Sequence, residues 1–163
     1  MPYYVRELKP ARVVSLIQPE LEPEIPPELK PAQFLRVALH DISEHRQNHI
    51  LPGMEAVATL IDFLEDWDPA DGPLLTHCYA GVSRSTAAAL IAATMKTNDP
   101  DWAAIRLRAA APHAAPNRLI VQLADERLGL NGALVAACIN MGESERVVEG
   151  PLTVLRIGAE QFG

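Results

Sequence analysis

A chain of 163 residues, 48% apolar and 21% charged, is long enough for one domain with a full core and too apolar to be disordered. Its net charge of −7 argues against a nucleic-acid-binding surface and against an anionic membrane surface, and no apolar run is long enough to cross a bilayer. Cys78 and Cys138 lie far apart and read as reduced thiols, and the first residues lack the apolar core of a signal peptide, so a cytoplasmic location is expected.

In chain order, residues 11–17 are β-branched and apolar and predict a buried strand. Residues 18–32 hold Pro19, Pro23, Pro26, Pro27 and Pro31 among glutamates, which predicts an extended surface loop with at most a short helix. A second strand follows at 34–39. Residues 52–67 place Met54, Val57, Leu60, Ile61 and Leu64 at helical spacing, with Pro52 suited to a first turn. Residues 73–77 read as a strand and 84–96 as an alanine-rich helix. Helices are expected at 101–111, 117–128 and 131–141, and the tail through 152–157 offers an edge strand. The expected fold is α/β: a single domain over 1–163, with a mainly parallel sheet of about four to five strands flanked by helices.

The chemistry concentrates at the junction of the 73–77 strand and the 84–96 helix, in His77-Cys78-Tyr79-Ala80-Gly81-Val82-Ser83-Arg84-Ser85. Backbone N–H groups at a helix N-terminus have no partner within the helix, and the helix dipole adds positive charge there. A cysteine in that position loses its proton more readily, and an arginine offers a planar fork matched to two phosphate oxygens. Gly81 tolerates the positive φ that a tight amide cradle requires.

This segment resembles the active-site loop of the cysteine-dependent protein tyrosine phosphatase superfamily, in particular its compact dual-specificity-type members, whose loop reads His-Cys-x-Ala-Gly-x-Ser-Arg-Ser. Every fixed position of that pattern occurs at 77–85. Downstream, Pro116-Asn117 and Gln122-Leu123 fit the same family, whereas Ala110-Ala111-Pro112 replaces its usual basic-basic-Pro triplet. The resemblance spans about residues 33–128, and 1–32 and 129–163 match nothing nameable.

The resemblance implies a phosphatase acting through a cysteinyl-phosphate intermediate. Cys78 is then the nucleophile, and Arg84 with the loop backbone at Tyr79, Ala80, Gly81, Val82 and Ser83 binds the phosphate. Ser85 donates a hydrogen bond to the departing thiolate, and His77 orders the loop. The general acid in such enzymes is an aspartate after a strand, roughly thirty to forty residues before the cysteine. Asp41 falls in that window and Glu44 is its competitor, while Asp62, Asp66, Asp68 and Asp71 lie on or after the intervening helix. Asn117 reads first as a helix cap and only second as a substrate contact. His40, Asp41, His45 and His49 crowd together but lack the Glu of a zincin motif, so no metal is assigned, and no cofactor is implied.

The expected ligands are a phosphorylated protein, most readily phosphotyrosine, or a small phosphate ester, with phosphate, sulfate or vanadate able to occupy the loop. No lysine stands in the loop to meet a polyphosphorylated ring. A hydrolase for a small-molecule or nucleic-acid 5′ phosphate, and a phospho-binding module with little activity, are the alternatives. A monomer is expected.

Overall fold

In a computed structural model that describes residues 1–21 and 24–157, the centre is β1 (Arg12–Ile17), with Val13, Val14, Ser15 and Leu16 fully buried. A strand covered on both faces reads as a continuous apolar run rather than an alternation. β2 (Phe34–Ala38) and β3 (Leu74–His77) pair with it in parallel, on opposite edges, in the order β2-β1-β3. Ser15 stands opposite Arg36 on one side and His77 on the other.

The six α-helices among the described residues are α1 (Pro2–Leu8), α2 (Met54–Glu65), α3 (Arg84–Thr97), α4 (Pro100–Ala110), α5 (Arg118–Leu128) and α6 (Ala133–Asn140). One sheet face, through Val14 and Leu16, packs on the main core, which holds Leu60, Ile61 and Leu64 of α2, Leu90 and Ile91 of α3 and Ile120 of α5. The other face carries a smaller cluster of Val5, Val13, Leu29 and Leu75 beneath α1. α3 runs through the middle: its alanines at 87, 88, 92 and 93 are buried and let α2, α4 and α5 approach closely. None of the helices is long and apolar enough to cross a membrane.

Two expectations change. The described residues form a three-stranded sheet rather than four or five strands, and the proposed strand at 152–157 does not pair. Leu155 and Ile157 turn onto the main core, and the segment shares with β3 the walls of a groove of about 1130 Å³ instead of adding to its edge. α1 is an unforeseen element; it starts with proline at its first position and buries Val5 alone, so no periodic pattern marks it. The proline-rich stretch agrees with its reading: its described residues form turns and one 3₁₀ turn, Pro31–Gln33, and its residues 22 and 23 lie outside the described residues.

Candidate active site

β3 ends at His77 and α3 starts at Arg84, so Cys78 and the five residues after it form the connection between a central layer and a buried helix. Gly81 adopts φ 69°, the left-handed conformation expected for a tight cradle. The loop's carbonyls are drawn to donors around it. Ala80 O accepts from Gly150 N–H at 2.8 Å, Val82 O from Ala115 N–H at 2.9 Å and Thr86 Oγ1 at 2.6 Å, and Ser83 O from Asn117 N–H at 3.2 Å. Because a trans peptide is planar, holding a carbonyl on one side directs the following N–H to the other, here the N–H groups of Gly81, Ser83 and Arg84.

Ser83 is the N-cap of α3, but its side chain makes no cap hydrogen bond. The hydroxyl instead donates to Asp41 Oδ1 at 2.7 Å. A cap side chain would ordinarily occupy an N–H of the first turn. Diverting it leaves those amides for an anion or for the sulfur.

Cys78 Sγ lies 3.2 Å from Ser85 Oγ. Burial alone would raise the thiol's pKa, but it is outweighed by the Ser85 hydroxyl, the Ser85 and Gly81 N–H groups and the charge of Arg84, so the thiol titrates below its ordinary range. His77 is pushed down to about 4, chiefly by burial and then by the charged N-terminus, against a hydrogen bond with the Cys78 backbone that pulls it up. It is therefore neutral near pH 7 and supports the loop as an uncharged ring.

Arg84 is 4% exposed. Its Nη1 donates to Leu39 O at 2.9 Å and to Gln18 Oε1 at 3.3 Å, and no carboxylate among the described residues pairs with it. Two neutral acceptors thus aim the guanidinium while leaving its positive charge uncompensated. Gln18, in the proline-rich stretch, is a site residue that the sequence reading missed.

Asp41 lies just beyond β2, and its Oδ1 also accepts from Asn117 Nδ2 at 2.9 Å. Asn117 caps α5 as expected, accepting from Leu119 and Ile120 N–H at 3.1 Å each. Glu44 is exposed farther along the 41–50 loop. Asp62 and Asp66 point to Arg127 and Arg12, at 3.4 and 3.8 Å, and Asp68 caps a turn through Ala70 N–H. His40 closes the base of the 41–50 loop: its Nδ1 accepts from Ile50 N–H at 2.9 Å and its Nε2 lies 3.3 Å from Glu20. Tyr79 is exposed beside the cysteine, and Cys138 is half-buried on α6 against the main core.

A cysteine whose thiol titrates low, a buried guanidinium with no carboxylate partner among the described residues, and the Asp41 carboxylate therefore meet around one loop, although Asp41 comes from a stretch of chain separate from the one that holds Cys78 and Arg84. No family model matches the chain, and no curated protein matches it. Among solved structures it is similar to the PTP-2 phosphatase of Cydia pomonella, at 23% identity over 77% of this chain and 76% of that one, with a TM-score of 0.52. The chain has a protein tyrosine phosphatase-like fold.

Proposed function

We propose that this chain is a cysteine-dependent phosphatase that hydrolyses phosphate monoesters, above all phosphotyrosine in proteins, through a cysteinyl-phosphate intermediate. The observation that carries this reading is the tether of Asp41 to Ser83, at 2.7 Å, within the loop that joins Cys78 to Arg84. It supports a carboxyl proton donor beside an anion cradle, and it favours Asp41 over Glu44 as the acid.

The phosphate's free oxygens rest on the loop N–H groups and the Arg84 guanidinium, where charge spreads in the loose transition state. The Cys78 thiolate attacks phosphorus, and Asp41 passes its proton to the departing oxygen. Asp41, now a carboxylate, then takes a proton from water as that water attacks the cysteinyl phosphate. Cys78 leaves as a thiolate stabilised by the Ser85 hydroxyl. The absence of lysine from 79–83 suits a single phosphate better than a polyphosphorylated ring.

The test is hydrolysis of an aryl phosphate and of phosphotyrosine, phosphoserine and phosphothreonine peptides, with and without a chelator. Turnover that ignores the chelator, is abolished in Cys78→Ser and Arg84→Ala, and falls in Asp41→Asn mainly for poor leaving groups supports the reading. Turnover that survives Cys78→Ser overturns it. An inert wild type that still binds vanadate through Arg84 would make the chain a phospho-binding module.

A further inference from the structure

The C-terminal part of the chain, beyond the stretch that resembles known phosphatases, reaches the loop that carries Cys78. After α6 the backbone turns at Gly142, and Arg108 fastens this turn by donating to Met141 O, Gly142 O and Pro112 O at 3.1, 3.3 and 2.6 Å. Glu145 N–H adds a bond to Pro112 O at 3.0 Å. At the far end Leu155 and Ile157 pack on the main core. Between these two anchorages the strap crosses the loop at Gly150.

The crossing is tight. A Cβ on Gly150 would lie 2.6 Å from His113 Nε2 and 2.7 Å from Gly81 O, closer than real Cβ atoms approach other groups. From the other side, a Cβ on Gly81 would lie 3.3 Å from Gly150 O. The two glycines thus face each other, and the buried ring of His113 closes a third side. No other residue type fits at 150 without moving the strap, the loop or the imidazole.

We propose that Gly150 is a positioning residue for the anion loop: its N–H holds the Ala80 carbonyl outward and so turns the Gly81 N–H onto the Cys78 sulfur. The carbonyls of Val82 and Ser83 are held by Ala115, Thr86 and Asn117, so their peptide planes are set without the strap. The Ala80–Gly81 plane is the one that the strap fixes, and the Gly81 N–H is among the groups that bond the sulfur and favour its thiolate. The C-terminal strap thereby tunes the nucleophile from behind the loop without touching substrate. This inference rests on the reading of Cys78 as the nucleophile, but it is tested without turnover.

The experiment follows iodoacetamide alkylation of the Cys78 peptide by mass spectrometry, as a function of pH, in the full-length wild type, Gly150→Ala, Leu155→Ser and Val148→Ser. Gly150→Ala crowds the crossing. Leu155→Ser loosens the strap from a distance and adds no atom to the loop. Val148, 97% exposed, is the control. In mildly acidic buffer the alkylation rate of Gly150→Ala should fall roughly tenfold, the size expected when a hydrogen bond to a charged acceptor is lost. The alkaline plateau should be unchanged, Leu155→Ser should shift in the same direction, and Val148→Ser should match the wild type. A folded Gly150→Ala whose pH curve superimposes on the wild type overturns the proposal; if that variant does not fold, Leu155→Ser decides in the same way. A wild type without phosphatase turnover would instead count against the proposed function and leave these curves readable.

Discussion

Asn117 Nδ2 donates to Asp41 Oδ1 at 2.9 Å, while Asn117 Oδ1 accepts from the first N–H groups of α5. One amide side chain therefore caps a helix with its oxygen and holds the candidate acid with its nitrogen. The two duties separate by substitution. Asn117→Ser keeps a good N-cap but cannot reach Asp41, so its melting temperature should stay near the wild type while kcat on poor leaving groups falls roughly tenfold. Asn117→Ala should lose the same activity and, in addition, about 1 kcal/mol of stability. Thermal melts beside a leaving-group series check both, and a serine variant with full activity would show that the Asp41 contact is incidental.

Most of this site was legible because its signals are local. His77 to Ser85 is contiguous, and the change from a short apolar run to an alanine-rich one marks where strand gives way to helix. Val57, Leu60, Ile61 and Leu64 announce α2 by spacing alone, and all four are buried. Gln18 was not legible, because its link to Arg84 spans 66 positions and nothing periodic surrounds it. Gly150 acts through its N–H in a crossing too tight for a Cβ, which no composition reveals. The β-branched and apolar residues at 152–157 carry a strand preference, but whether a strand joins a sheet edge is decided by packing, and Leu155 and Ile157 pack elsewhere.

Gln18 should matter for phosphate affinity more than for the chemical step. Gln18→Met removes the acceptor at 3.3 Å from Arg84 Nη1 but leaves Leu39 O, so the guanidinium is loosened rather than released. The expected result is a KM and a vanadate Kd raised roughly threefold to tenfold, with kcat changed less. Gln18→Glu should be worse than Gln18→Met, because a carboxylate would compete with phosphate for the positive charge. In an Arg84→Ala background Gln18→Met should add nothing, since both act through one contact. Additive losses would place Gln18 in some other role.

Ser85 contributes to Cys78 in two ways that pH can separate. Its hydroxyl and its N–H both bond the sulfur, and with the Gly81 N–H and Arg84 they overcome the upward push of burial. Ser85→Ala removes the hydroxyl alone, so the thiol pKa should rise and the acid limb of kcat/KM should move to higher pH. The same loss should slow the second step, in which Cys78 departs, so a burst of released phenol should appear ahead of steady-state turnover. Rapid-quench kinetics over a pH series measures both effects. An acid limb that stays in place would mean that the amides and Arg84 suffice to ionise the thiol.

His77 makes a prediction about stability rather than rate. Its folded pKa of about 4 lies below the ordinary 6.5, chiefly because the ring is buried, and its Nε2 has no hydrogen-bond partner among the described residues. The unfolded chain therefore takes up a proton on this ring at a higher pH than the folded chain does. Stability that depends on the neutral ring is fully present above pH 6.5 and is lost progressively as pH falls from 6.5 toward 4, after which both states are protonated and no more is lost. His77→Gln cannot titrate, so the difference in unfolding free energy between wild type and variant should shrink across that window. Urea melts at several pH values measure it. Parallel stability curves would mean that the folded protein accommodates a charged ring at 77, in which case this histidine does not depend on its neutrality to support the loop.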